Sequence, residues 1–381
     1  MENTAYLFVI LLVGTFLSTV ASFRAYPEYQ VKSNWCNFKS SNSEFDYNNS
    51  IDAVNEKSQL KFKCKCTKML FRCFDLSKTY RSKYLSKSIV VEPSGSRSWY
   101  MKCNIGSRDI SIVDSLRSLN LDKVSALSIN DCYTLSYQKL LSHLGVSAIN
   151  KLILRAHDVE MKLDGCSFRD IGRSYPMIKE LELHSEGIKS ISSDALNDLK
   201  TLKALRIHRT SIRLFPDSLL FPLPDLRKIS IFWNQDLDGL PRKLFHKNAK
   251  LEKILINNNQ GLTRLNPDQF RGLRKLEDLD LGSNQFKVIP ANLFAFDNNS
   301  DFSRLEAFKI LEDTCGMNCY RKMPENLLAE LRNLKSFRYS TKYGTKKRKN
   351  EMIFPSNFVI PSSITTVQIN RANLMKMILK V

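Results

Sequence analysis

One short pattern of apolar residues occurs four times in the middle of the chain, and it constrains the fold more than any other feature. Each copy places Leu or Ile at its first, fourth and sixth positions; the copies are Leu202–Ile207, Leu226–Ile231, Leu251–Ile256 and Leu276–Leu281. Their starts lie 24, 25 and 25 residues apart, and an Asn follows three of them, at Asn234, Asn259 and Asn284. A unit of this length cannot bury its apolar side alone, so the period predicts stacked coils that share one core.

The period and the alternating apolar positions are typical of the leucine-rich repeat, in which each coil contributes one short strand. Further starts, which bring the total to about ten coils, are found at Val124, Ile149, Ile178, Leu305, Leu334 and Ile364. We therefore predict an α/β leucine-rich repeat solenoid, a horseshoe with a parallel concave sheet and a disulfide-rich N-terminal cap. Amphipathic helices also place Leu at i and i+3, and they are the alternative that the fixed period disfavours.

The N-terminal end of the chain predicts export, and the C-terminal end predicts a repeat region that is incomplete. Residues 5–20 are almost wholly apolar and small residues follow them, as in a cleaved signal peptide. We predict a signal peptide over residues 1–22, a cysteine-rich cap region over 23–120 and repeats over 121–381. No closing cap follows the last repeat, so we expect the repeat region to be C-terminally incomplete. The expected location is the secretory pathway, then the extracellular space or the cell surface.

Export changes the interpretation of the cysteines, because oxidising compartments favour disulfides. Six of the nine precede the regular repeats: Cys36, Cys64, Cys66, Cys73, Cys103 and Cys132. They predict a disulfide framework that closes the open end of the solenoid, and the sequence leaves their pairing open. A zinc site through Cys64, Cys66 and Cys73 is the alternative, and their spacing disfavours it.

The other three cysteines lie within the repeats, and the chain has two glycosylation sequons, one ahead of the repeats and one within them. Each coil has a return segment, the stretch that leads from one strand to the next. Cys315 and Cys319 predict a local disulfide in a long return segment, and Cys166 is left without an assigned partner. Asn48 and Asn298 each begin an Asn-x-Ser sequon and are predicted glycosylation sites.

The net charge and the motifs of the chain indicate which classes of function are expected. The chain has 58 Lys and Arg against 38 Asp and Glu, a net charge of +20, with one basic run over residues 342–349. This charge favours acidic partners, although the basic run is also typical of a solvated loop. The sequence lacks the usual nucleophile, zinc-protease and phosphate-loop motifs, so we predict a binding protein that is not an enzyme and needs no cofactor or metal.

The concave sheet is the expected binding surface, because the third, fifth and seventh positions of each unit point away from the core. Neighbouring strands should place His184, His208 and Phe232 side by side. The two stacked histidines are either two exposed imidazoles or a low-pH switch. The candidate ligand-binding residues are Ile153, Arg155, Glu182, His184, Arg206, His208, Phe232, Trp233, Leu255 and Asn257. Apolar groups among charged ones are typical of a protein interface.

The order of the cysteines and coils along the chain is similar to that of a known protein family. Cys36, Cys64-Lys-Cys66 and Cys73 are followed by Met-Lys-Cys103-Asn, Asn-Asp-Cys132 and the segment His143-Leu-Gly-Val-Ser, and the regular coils begin at Leu202. In this order the chain resembles the amino-terminal part of an insect Toll receptor ectodomain, a member of the Toll-like receptor family.

The resemblance implies capture of an extracellular protein ligand, a cystine-knot cytokine of the Spätzle type, in innate immune or developmental signalling. It also implies receptor dimerisation, and signalling that requires a membrane helix and a TIR domain from a missing C-terminal region. No nucleic acid is expected as a partner, although nucleic-acid sensing would use the same positive charge. The main alternative is a secreted leucine-rich repeat scaffold, adhesion or decoy protein that binds matrix or polyanions.

Overall fold

A computed structural model of the chain describes residues 62–67, 70–75, 88–95, 97–104, 119–132, 136–294, 304–312, 323–329, 331–341, 352–353, 355, 357–370 and 372–373. Several sequence predictions lie outside the described residues: the signal peptide, Cys36, Asn48, Asn298, Cys315, Cys319 and the basic run. Among the described residues, no helix is long and apolar enough to cross a membrane.

One continuous sheet of 14 strands forms the fold. Its first four strands pair with one another in antiparallel fashion; they are β1 (Phe62–Thr67), β2 (Leu70–Asp75), β3 (Ser88–Gly95) and β4 (Ser98–Asn104). From β4 onward every pairing is parallel; the next strands are β5 (Asp122–Asn130), β6 (Val146–Arg155), β8 (Glu180–His184), β10 (Ala204–His208) and β11 (Lys228–Phe232). The sheet continues through β12 (Lys253–Asn257), β13 (Asp278–Asp280), β14 (Ala307–Glu312), β15 (Ser336–Thr341) and β17 (Thr366–Asn370).

The other elements are short. Two small parallel pairs lie outside the main sheet, β7 (Met161–Leu163) with β9 (Ile188–Ile191), and β16 (Met352–Ile353) with β18 (Ala372–Asn373). The described helices are α1 (Tyr137–His143) and α2 (Ile171–Ser174). Ser136 begins α1 as its N-cap, since its side chain accepts a hydrogen bond from the Lys139 amide. Low helix content and a parallel sheet confirm the predicted solenoid.

The core follows from the alternating apolar positions. In the unit that begins at Leu276, the residues Leu276, Leu279 and Leu281 are all fully buried. Aromatic side chains of the return segments fill the space behind the sheet, and the rings of Phe245 and Phe270 stack with centroids 5.9 Å apart. Each predicted repeat start falls in or just before a strand of the main sheet, so the period in the sequence is the period of the coils.

The Asn residues that close the units satisfy buried backbone groups between coils. The Asn259 side chain donates to the Ile231 carbonyl at 3.0 Å and accepts from the Asn234 amide at 3.0 Å. Asn284 repeats this arrangement one coil later, where it accepts from the Asn259 amide at 3.0 Å. Because buried backbone groups need partners, these side chains hold the turn after each strand in register.

One predicted disulfide lies in the described part of the cap. Cys103 on β4 is bonded to Cys132, which follows β5, and their Cα atoms are 4.9 Å apart. The bond joins the antiparallel strands to the first parallel coil. On the β1–β2 hairpin, Cys64 lies opposite Cys73 in the register, and the disulfide partners of these two residues stay open. Cys166 is an exposed free thiol.

Candidate functional site on the concave sheet

The outward-facing side chains of the central strands form three rows across the sheet. Parallel pairing without register shifts joins β6, β8, β10, β11 and β12, so equivalent positions of successive coils are neighbours. The seventh-position row consists of Arg155, His184, His208, Phe232 and Asn257. The fifth-position row consists of Ile153, Glu182, Arg206, Ser230 and Leu255, and the third-position row consists of Lys151, Glu180, Ala204, Lys228 and Lys253.

Three rings of the seventh-position row form a continuous stack. The ring centroids of His184 and His208 are 4.2 Å apart, and those of His208 and Phe232 are 4.5 Å apart, with nearly parallel planes in both pairs. At the other end, Arg155 Nε donates to His184 Nδ1 at 3.2 Å. The register in the sequence predicts this ring stack, and the stack fixes the imidazoles in a half-buried position.

Glu182 lies directly beside the ring stack and balances several cations. Its side chain is 11% exposed, and its Oε1 atom accepts from His208 Nε2 at 3.1 Å. Its Oε2 atom lies 2.9 Å from Lys151 Nζ and 3.8 Å from Arg206 Nη1. The hydrogen bond from His208, assisted by Lys151, lowers the pKa of Glu182 to about 2. Glu182 is therefore ionised throughout the physiological pH range.

The environment of His184 favours the neutral imidazole. Burial lowers the pKa of His184 to about 4, and the nearby positive charge of His208 and Arg155 acts in the same direction. His157 also touches His184, edge to face at 5.8 Å, and its Nε2 lies 3.0 Å from Ser185 Oγ. In the free protein His184 thus stays neutral at the pH of mildly acidic compartments, which argues against a switch that charges both stacked histidines.

A metal ion would need Glu182, His184 and His208, whose possible ligand atoms lie within 4.8 Å of one another. The arrangement does not fit a cation. Both carboxylate oxygens of Glu182 already contact positive or hydrogen-bonding groups, and Arg155 donates to a ring nitrogen of His184. The two imidazole planes differ by only 16°, so their lone pairs do not converge on one point.

Trp233 lies in the turn after β11 instead of on the strand. Its φ of 60° is left-handed, as are those of Arg209 and Asn258 at the same place in neighbouring coils. The turn thus requires this conformation, which costs about 1 kcal/mol or more for a side chain as large as Trp. Trp233 is 46% exposed, and the Arg209 guanidinium lies 5.9 Å from its ring. The indole is therefore half-exposed in the turn that directly follows Phe232.

The remaining candidates lie on the sheet, and the structure adds two residues to the site. Ile153, Leu255 and Asn257 are half-buried on the sheet, in the rows that the sequence predicts. Lys151 and Arg209 were not among the candidates, although the structure gives each a direct contact with a candidate residue. The repeat register places Lys151 on the strand next to Glu182 and diagonal to it, so the sequence could have predicted this contact. The contact of Arg209 with Trp233 depends on the turn conformation, which the repeat pattern does not specify.

Comparison with known proteins supports the architecture. A family model described as "Leucine rich repeat" matches residues 233–286 and 249–296. The chain has the leucine-rich repeat fold. Toll in the Toll–Spätzle complex of Drosophila aligns with 81% of this chain and 40% of its own, at a TM-score of 0.56 and 17% identity. The resemblance to a Toll ectodomain is thereby confirmed at the level of the fold, and the chain spans 40% of the length of that relative.

Two looser similarities complete the comparison. The leucine-rich repeat chain of a TLR13–single-stranded RNA complex aligns with 70% of this chain and 42% of its own, at a TM-score of 0.41 and 17% identity. An internalin of Listeria monocytogenes aligns with 71% of this chain and 76% of its own, at a TM-score of 0.35 and 16% identity. Neither superposition is close enough to indicate a ligand.

Proposed function

We propose that this chain is the ligand-capturing region of a Toll-like receptor and binds a cystine-knot cytokine of the Spätzle type on its concave sheet. The observation that carries the proposal is the line of side chains from Arg155 through the ring stack to the half-exposed Trp233. Similarity in fold to Toll, which was solved in complex with Spätzle, supports the choice of ligand class.

The chemistry of this surface suits a protein partner. Phe232, Trp233 and Leu255 offer apolar area close together, and charged side chains such as Arg206 and Lys228 surround them. Protein interfaces concentrate their binding energy in such aromatic and Arg anchors, with a polar rim around them. A rigid parallel sheet also limits the entropy lost on binding, since its side chains are held by stacking before the ligand arrives.

The rest of the proposal concerns the cellular setting. We propose that the chain is exported by a signal peptide, glycosylated at Asn48 and Asn298, and displayed at the cell surface or released. It acts as a binding protein without enzymatic activity, and signalling requires a membrane helix and a TIR domain supplied by further sequence. Receptor dimerisation by the ligand would connect capture to signalling.

The test is a binding measurement on the secreted chain with a Spätzle-type cytokine, using surface plasmon resonance. Phe232→Ala and Trp233→Ala should each weaken binding by about tenfold or more, the loss expected for an interface anchor. Leu214→Ala is the matched control, because Leu214 is 65% exposed in a return segment outside the main sheet. Equal affinities for all four proteins would contradict the proposed site.

The net charge of +20 favours one alternative, a secreted scaffold or decoy that holds a polyanion of the matrix. The two functions differ in their response to salt. Polyanion binding should weaken steeply between low and high ionic strength, whereas an interface with apolar anchors should change much less. A steep salt slope for heparin, together with no affinity for the cytokine, would favour the scaffold.

A further inference from the structure

The concave sheet has more positive than negative charge at one place, between β10 and β11. Lys228 is exposed and forms no ion pair with any residue of the described part of the chain. Arg206 has a half-exposed side chain whose only ion pair there is the 3.8 Å contact with Glu182. Glu182 also lies 2.9 Å from Lys151. The other carboxylate of β8, Glu180, is the neighbour of Ala204 but forms no ion pair with Arg206 or Lys228. The charges of these two cations are therefore only partly balanced.

Small side chains lie between these two cations. In the sheet register, Ala204 is the neighbour of Lys228, and Ser230 is the neighbour of Arg206. The long and short side chains therefore alternate diagonally: Ala204 is half-buried, and Ser230 is 8% exposed below the longer side chains around it. The Ser230 hydroxyl makes no side-chain hydrogen bond to another described residue, so it is available as a donor next to both cations.

An apolar surface adjoins this place directly. Leu255 is the next residue of the fifth-position row after Ser230, and Phe232 lies two residues beyond Ser230 on the same face of β11. Neighbouring strands are about 4.8 Å apart, so a group bound over Ser230 would lie within one side-chain length of both Leu255 and Phe232. Positive charge, a free hydroxyl and an apolar surface thus meet within one small area.

We propose that Arg206, Lys228 and Ser230 form a subsite for an acidic side chain of a protein partner, with an apolar side chain of the same partner on Leu255 and Phe232. The inference rests on the proposed function, because both place a protein partner on the concave sheet. The subsite adds that this partner has an acidic side chain next to an apolar one. A carboxylate can accept hydrogen bonds from the guanidinium and the hydroxyl, and the ammonium of Lys228 adds a third charge-assisted contact.

The neighbouring groups favour a carboxylate on a protein over a polyanion. Two partly balanced cations are a small electrostatic target, whereas polyanions bind along extended rows of Lys and Arg. The fifth-position row continues from Arg206 to an apolar residue, Leu255, and then to Asp280, which is itself paired with Lys309 at 3.0 Å. A polyanion that followed this row would meet apolar and acidic groups after one contact.

A random peptide library displayed on phage tests the subsite, using the whole secreted chain as bait. Peptides that bind the unaltered protein should be enriched in Asp or Glu close to Phe, Trp, Tyr or Leu. Lys228→Glu should reverse the enrichment toward Lys and Arg. Lys247→Glu is the matched control: it makes the same charge change at an exposed position of a return segment and should select the same peptides as the unaltered protein.

Affinities of the selected peptides provide the second measurement. Replacing the acidic residue of a peptide by its amide should weaken binding about tenfold, the effect of one charge-assisted contact, and Arg206→Gln should give a similar loss. The subsite is wrong if Lys228→Glu and Lys247→Glu select the same peptides. It is also wrong if heparin competes equally well on both variants, since that result indicates general electrostatics. Neither outcome depends on whether a Spätzle-type cytokine binds, so the two proposals can fail separately.

Discussion

The Glu182 carboxylate makes the stability of the concave sheet depend on acidity. Its folded-state pKa of about 2 lies below the ordinary value of 4.5, so its ionised form stabilises the folded chain above pH 4.5. This contribution is lost as the pH falls from 4.5 toward 2. The melting temperature of Glu182→Gln should therefore change less over that window than the melting temperature of the unaltered protein, as measured by circular dichroism. Parallel curves for the two proteins would contradict the assigned contacts.

The imidazole of His184 affects a different pH window. Its folded-state pKa of about 4 lies below the ordinary value of 6.5, so the unfolded chain takes up the proton more readily. Stability from this group is fully present above pH 6.5 and is lost as the pH falls to about 4. His184→Gln should remove that loss, which a series of melting curves between pH 7 and pH 4 would detect. His246→Gln, in a return segment, serves as the control and should retain the loss.

Individual side chains differ in how far the sequence predicts them. The alternation of Leu and Ile is enough to place His184, His208 and Phe232 in one row, because parallel strands of equal register bring equivalent positions together. The same reasoning does not give the charge state of His184, which depends on burial and on the positions of neighbouring cations. It also does not place Trp233 in a left-handed turn, since the pattern of apolar residues ends before that position.

At the scale of the element, the buried Asn side chains connect one coil to the next. Asn259→Ala should lower the free energy of unfolding by about 2 to 4 kcal/mol, because it leaves the Asn234 amide and the Ile231 carbonyl buried without their partners. Chemical denaturation followed by fluorescence measures this change. Asn257→Ala, at the half-buried last position of the preceding strand β12, should cost less than about 1 kcal/mol. Similar losses for both variants would mean that the bridging hydrogen bonds contribute little.

The strands themselves show where the repeat pattern stops being informative. Parallel strands from β5 onward correspond to starts that the sequence marks, because each coil needs the same inward Leu and Ile positions. The antiparallel strands β1–β4 have no such period; they pair with one another, and only β4 also pairs with the first parallel strand, β5. The short pair of β7 and β9 likewise depends on how two return segments approach each other, which local sequence does not encode.

At the scale of the whole molecule, a solenoid is stabilised mainly by contacts between neighbouring coils. The Cys103–Cys132 bond joins residues 29 positions apart at one end of this arrangement. In the chain-entropy account, a loop of that length contributes about 3 to 4 kcal/mol. Because the described strands pair only with their neighbours in the sheet, the stabilisation should be largest at the N-terminal end and decline along the sheet.

Replacing both cysteines tests this local character. In Cys103→Ser with Cys132→Ser, amide hydrogen exchange should accelerate in β3, β4 and β5, whereas β11, β12 and β13 should exchange as slowly as before. The central candidate site lies on the protected coils, so cytokine or peptide binding at Phe232 should persist in this variant. Uniform acceleration along the sheet would mean instead that the coils unfold as one cooperative unit. In that case the cap would control the binding surface as well as the end of the solenoid.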